Sequence, residues 1–201
     1  MALITRIVLA AGRSSRMGET KALMDICGAT ALERVLRLRI EVDAKTRTLV
    51  VCGHDGERVA NEARRHGANA IQNENWSSGQ TSSLKAGLRA LPEETSVVWL
   101  HPVDLPMITQ DDYSACSRAW QEEGGPSEML VTSIDKRRGH PLLLGAEWIS
   151  AFLALADDEP ARKVTRSAGD RMHYATVTNH WVRDDLDTPS DLARAIHFLQ
   201  D

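Results

Sequence analysis

The feature that most constrains this chain is a set of short apolar runs with no polar alternation, separated by segments of helical period. "RIVLA" runs into Ala11-Gly12, "TLVVCG" spans 48–53, and "ANAIQN" spans 68–73. "SVVWLHPVD" spans 96–104, "EMLVTS" spans 128–133, and "MHYATV" spans 172–177. Strands that are apolar at every position are covered on both faces, as in a parallel sheet crossed by helices. The helical segments lie between them: "TALERVLRLRIEV" from Thr30, "GERVANEARRHG" to Gly67, "TSSLKAGLRALP" to Pro92, and a segment capped by Thr109. The C-terminal "TPSDLARAIHFLQ" reads as a Thr-capped helix with proline at its first position. The expected fold is a three-layer α/β/α sandwich around a mostly parallel, Rossmann-like sheet. With 201 residues and no repeat, low-complexity tract or linker, residues 1–201 are expected to form a single domain. "EEGGPSE" (122–128) reads as a loop within it.

Composition narrows the function classes. A net charge of -4 excludes a generally basic nucleic-acid binder while allowing a local basic pocket. No apolar stretch approaches the roughly 18 residues of a membrane span, and "MALITRIVLAAG" lacks the cleavage region of a signal peptide. Cys27, Cys52 and Cys116 have no metal-type spacing. A cytoplasmic protein with a buried Cys52 is expected.

In doubly wound sheets ligands collect at the carboxyl ends of strands. The segments after strand ends here are 10–21, 53–56, 76–83 and 101–104. The first is the longest and carries Gly12, Arg13, Ser14, Ser15, Arg16, Gly18 and Lys21. It is not a Walker loop, because five residues separate Gly12 from Gly18 and Glu19 follows. Nor does it have the three close glycines of a dinucleotide fingerprint. Glycines that let backbone N–H groups approach a ligand, with arginines and a lysine nearby, suit a polyphosphate.

"LAAGRSSRMGETK" (9–21) resembles the nucleotide-binding signature of nucleotidyltransferases that attach a nucleoside monophosphate to a phosphorylated acceptor. The nearest likeness is to the molybdenum cofactor cytidylyltransferases and guanylyltransferases, and Ala10-Ala11 resembles the cytidylyl branch. The likeness continues through "GQTSSLKAGL" (79–88), "PVDLP" (102–106), "RGHPLLL" (138–144) and "DLDTPSDL" (185–192).

This resemblance implies a magnesium-dependent transfer from CTP with release of pyrophosphate. Leu9, Ala10, Ala11, Gly12, Arg13, Ser14, Ser15 and Gly18 would hold the nucleotide, with Gly53 and the paired Ser82 and Ser83. Arg16 would clamp the leaving pyrophosphate, and Lys21 would sit at the α-phosphate. Asp104 and Asp187 would bind magnesium, with Asp185 as the alternative to Asp187. Magnesium takes oxygen ligands, typically one or two carboxylates plus phosphate and water.

Arg138 and His140 would border an anionic acceptor, although "KRRGHPLLL" also reads as a basic hairpin tip. An ionised acceptor phosphate needs no general base, so neither His101 nor His140 is assigned as one. Trp99 is expected in the core, and the five tryptophans form no legible binding box.

Two segments depart from the pattern: "HPVDLP" (101–106), and "DDEPARKVTR" (157–166) where a glycine-bearing element is usual. Two alternatives therefore stand beside the molybdenum cofactor and a handover to a molybdoenzyme or its chaperone. One is another phosphorylated acceptor, such as a sugar phosphate, a phospholactate or an isoprenoid precursor. The other is a nucleotide-binding protein without turnover.

Overall fold

The computed structural model describes residues 3–14 and 16–200. Among them, strands β1 (Leu3–Ala10), β2 (Lys45–Cys52), β3 (Asn69–Gln72), β4 (Thr95–Pro102), β5 (Met129–Ile134), β6 (Arg137–Gly145) and β7 (Met172–Thr176) form one sheet. Its order is β3-β2-β1-β4-β6-β5-β7. Every neighbouring pair is parallel except those of β6, which runs antiparallel to β4 and β5. The helices are α1 (Ala31–Arg37), α2 (Gly56–Arg65), α3 (Gln80–Arg89), α4 (Gln110–Glu123), α5 (Ile149–Leu153), α6 (Arg162–Ser167) and α7 (Pro189–Gln200).

Neighbouring residues of β1 enter opposite layers, as the period of a strand requires. Ile7 packs with Leu84 and Leu88 of α3 and with Phe152 of α5. Val8 packs with Leu32 and Val35 of α1 and with Val59 and Ala63 of α2. The architecture is thus the three-layer sandwich expected from the apolar runs. Cys52 and Trp99 are fully buried, and no helix among the described residues is long and apolar enough to cross a membrane.

The short helices α5 and α6 and the strand β6 are absent from the sequence reading, and α1 ends early; for β6 and α1 the structure shows why. The segment read as a basic hairpin tip does hold the tip, with Lys136 in the two-residue turn Asp135-Lys136, and the rest of it continues as the strand β6 paired with β5. Both turn residues have positive φ (49° and 61°), which suits the twist of a tight hairpin. The helix after Thr30 stops at Arg37 although its apolar pattern runs on. The Arg6 guanidinium, reaching from β1, takes the carbonyls of Val35 (3.1 Å), Leu36 (3.3 Å) and Leu38 (2.8 Å). A long-range cation has occupied the carbonyls that a longer helix would have bonded.

Candidate active site

The chain leaving β1 is held by local bonds and by one neighbouring turn. Lys21 donates its N–H to Ser14 Oγ at 3.0 Å, and Met17 N–H reaches Ser14 O at 3.0 Å. Gly18 has φ 76°, a conformation that strains any residue with a Cβ. The turn after β2 braces the loop: His54 N–H donates to Ala11 O (3.0 Å), and the Thr20 hydroxyl donates to Asp55 (3.0 Å). A Cβ on Gly53 would lie 2.5 Å from the Trp76 Cβ and 2.6 Å from Ala11 O. Gly53 is therefore what lets the loop, the turn and Trp76 close on one another.

Asp104 follows β4, and its carbonyl accepts the N–H of Leu186 at 2.8 Å. That bond sets the register of the strip 185–187. Leu186 is buried, and Asp185 and Asp187 on either side of it turn toward Asp104. Oxygens of the three carboxylates all lie within 4.8 Å of one another. Lys21 Nζ stands 3.8 Å from Asp104 and is hydrogen-bonded to Asp187, which also takes Arg16 Nη1 at 3.1 Å. Burial raises the pKa of Asp104, Lys21 opposes the rise, and Asp185 and Asp187 add to it. Crowded oxygen donors whose charges disfavour one another are a chemical fit for a divalent cation.

Two cavities meet at these acids. The smaller, about 520 Å³, is lined by Leu9, Ala10, Ala11, Gly12, Arg13, Ser14 and Lys21 together with Ser83, Asp104 and Asp187. The larger, about 770 Å³, has an apolar floor that includes Leu84, Leu142, Phe152 and Met172, with Arg138, His140, Arg162 and Arg183 around it. Asp104 and Asp185 line both.

The expected residues divide accordingly. Arg16, Gly18, Gly53 and Ser82 are not among the described residues lining the smaller cavity, and Ser15 lies outside the described residues. The Ser82 hydroxyl bonds the carbonyls of Asn75 and Gly79 (2.8 Å each) and accepts from Asn73 (3.1 Å). It closes the start of α3, whereas Ser83 reaches the cavity.

Arg138 and His140 do line the larger cavity. Arg138 is already held, however, by the Tyr174 hydroxyl (3.2 and 3.1 Å) and Thr165 O (3.1 Å). Burial lowers the His140 pKa to about 4, and its buried Nδ1 has no partner among the described residues. His101 is a core residue lowered by burial to about 3. Its Nε2 faces Leu105 O (3.0 Å) and therefore carries the proton, so Nδ1 accepts from the Tyr113 hydroxyl (2.8 Å).

Trp76 and Gln80 of the smaller cavity and Arg183 of the larger are site residues that the sequence reading does not name as such. The strand-end rule encloses the first two within 76–83. Arg183 has no signal in spacing or composition.

Comparison with known proteins agrees with this geometry. The family model for the MobA-like NTP transferase domain matches residues 6–173. The chain is 26% identical over 218 residues to a bifunctional IPC transferase and DIPP synthase of Rubrobacter xylanophilus, covering 92% of this chain and 49% of that protein. It thus spans about half the length of that relative. It is 27% identical over 201 residues to the molybdenum cofactor cytidylyltransferase of Escherichia coli (97% and 96% covered). It is 25% identical over 199 residues to the nicotine blue oxidoreductase of Paenarthrobacter nicotinovorans (96% of each). A solved structure, a nucleotidyl transferase from Methanothermobacter thermautotroptrophicus, shares the fold with a TM-score of 0.81 at 22% identity, covering 98% of both chains. A family model that spans most of the sheet, over a phosphate-type loop and an acid cluster, gives the assignment: the chain belongs to the MobA-like NTP transferase domain family and is a nucleotidyltransferase.

Proposed function

We propose that the enzyme transfers CMP from CTP to a phosphorylated acceptor, with the molybdenum cofactor as the first candidate, and releases pyrophosphate. The observation that carries this reading is that Asp104 and Asp185 line both cavities, with Asp187 and Lys21 beside them on the smaller one. Transfer between two anions needs charge neutralised at the point where they touch. The same placement favours transferase chemistry over the oxidoreductase chemistry in one relative's name.

In this reading the triphosphate lies in the smaller cavity under the N–H groups of the loop. Arg13 and Arg16 take the charge of the leaving pyrophosphate, and Lys21 takes charge that builds on the α-phosphate. Asp104, Asp185 and Asp187 would hold magnesium. When bound, it supplies positive charge shared by the reacting phosphate groups. An acceptor phosphate oxygen attacks the α-phosphorus, the bond to the β-phosphate oxygen breaks, and pyrophosphate leaves with the electron pair. The attacking oxygen is already ionised, so neither His101 in the core nor the half-buried His140 has a proton to accept.

CTP is favoured by the Ala10-Ala11 likeness and by the cytidylyltransferase relative. The apolar floor of the larger cavity favours a second reading, transfer to a phosphorylated acceptor less polar than the molybdenum cofactor.

Pyrophosphate release is the test, with CTP, GTP, UTP and ATP each offered with magnesium and the molybdenum cofactor. CTP is expected to exceed GTP in kcat/KM by about tenfold, a ratio that pocket shape can supply. Equal use of GTP overturns the base assignment. Turnover with other phosphate monoesters but not the cofactor moves the acceptor to the second reading.

A further inference from the structure

We infer that Arg183 holds the acceptor's phosphate, and that the acceptor is a phosphate monoester on an apolar body. This rests on the transferase reading above and assigns the acceptor side of the same site. Of the arginines around the larger cavity, Arg138 has its guanidinium occupied by Tyr174 and Thr165. Among the described residues, no hydrogen bond or ion pair engages the guanidinium of Arg183 or of Arg162. The two differ in where they stand. Arg162 opens the short helix α6, beside the acidic stretch Asp157–Glu159. Arg183 is two residues from Asp185, which lines both cavities.

The backbone beneath Arg183 is fixed. Val182 is fully buried, and its carbonyl comes so close to β6 that a Cβ on Gly139 would sit 2.6 Å from it. Asn179, at the start of this turn, is tied by its amide to Asp112 (2.7 Å) and Met107 O (3.2 Å), and Arg183 N–H closes the turn on His180 O (3.1 Å). The next residue, Asp184, turns away to Arg194 (3.7 Å). One strip of chain thus places Arg183, with no partner for its guanidinium among the described residues, on the larger cavity, Asp185 where the two cavities meet, and Asp187 on the smaller cavity.

An unpaired guanidinium on a rigid turn, at the edge of an apolar floor, suits a ligand with a phosphate at one end and apolar surface at the other. Seated that way, the ligand's phosphate lies beside the carboxylates where the two cavities meet.

Phenyl phosphate carries both features, and inorganic phosphate and phenol carry one each. Calorimetric titration of all three, with magnesium and α,β-methylene CTP present, tests the inference on the wild type and on Arg183→Gln and Arg183→Lys. Phenyl phosphate should bind the wild type more tightly than either fragment. Arg183→Gln should weaken it about tenfold or more, the loss typical of a charge-assisted contact. Arg183→Lys should recover part of that loss, phenol should bind all three proteins alike, and affinity for the CTP analogue should not change. The inference is overturned if phenyl phosphate binds Arg183→Gln as it binds the wild type, or binds the wild type no better than inorganic phosphate. Failure of the transferase reading has a different signature: a wild type that neither binds the CTP analogue nor releases pyrophosphate from CTP, whatever the pattern at Arg183.

Discussion

Lys21 is the cation that the fold places at the acid cluster. Its side chain is mostly buried, its own N–H is bonded to Ser14, and its ammonium lies between Asp104 and Asp187. A group so fixed suits charge that appears during reaction, because it needs no rearrangement to meet it. Lys21→Ala should therefore lower kcat by about 10²–10³ and leave CTP affinity nearly intact. Initial rates of pyrophosphate release and direct CTP titration check the two halves, and a variant with near wild-type turnover would remove Lys21 from the chemistry. Asp104 makes the complementary case. Its carboxyl is held above the usual range by burial and by two neighbouring carboxylates, so its negative charge is costly unless a cation shares it. Asp104→Asn should erase the extra thermal stabilisation that magnesium adds to CTP, while a chelator changes nothing further. An undiminished magnesium increment in the variant would show that the cation binds elsewhere.

At the scale of elements, the acid strip depends on the start of α7. Asp191 accepts from the N–H groups of Asp187 (3.2 Å) and Thr188 (2.8 Å) and from the Thr188 hydroxyl (2.7 Å), which in turn accepts from Asp191 N–H (3.3 Å). This reciprocal cap lowers the Asp191 pKa, with the Thr188 hydroxyl bond as the largest cause. Asp191→Ala should cost about 1 kcal/mol in urea denaturation, as other lost caps do. It should also weaken magnesium-dependent CTP binding, although residue 191 is not among those lining either cavity. A stability loss with metal response unchanged would separate the cap from the acids. The cap was legible because Thr188, Pro189 and Asp191 are close in sequence. So were β1 and β4, whose apolar runs end at the loop and at Asp104. The end of α1 was not, since Arg6 acts on it from about 30 residues away. Nor was β6, where Arg137, Gly139 and Pro141 hide a strand that is specified by its neighbours on both sides. The choice between Asp185 and Asp187 was equally closed to sequence. The bond from Leu186 N–H to Asp104 O brings both beside Asp104.

Across the whole molecule, the sheet's switch in strand order puts the loop after β1, Asp104 after β4 and the acid strip before α7 at one edge, and it also holds two histidines, His101 in the core and the half-buried His140, to which the proposed transfer gives no role. Burial holds both below the ordinary imidazole range, His101 at about 3 and His140 at about 4. In the unfolded chain each takes up a proton as pH falls through about 6.5. In the folded chain neither does so until the pH is far lower. The unfolded state therefore binds more protons throughout this window, and stability falls as pH falls. It is complete above about pH 6.5, and each excluded proton then costs about tenfold in the folding equilibrium per pH unit. Below about pH 6 the two together should make the loss about a hundredfold per unit, until His140 begins to titrate. Replacing His140 by Gln keeps a polar side chain and removes one of the two protons. Urea midpoints at pH 7, 6 and 5 should fall steeply for the wild type and less steeply for His140→Gln, by an amount equivalent to one proton. Equal slopes for the two proteins would mean that His140 is protonated in the folded state, and that its place on the wall of the larger cavity is charged rather than neutral.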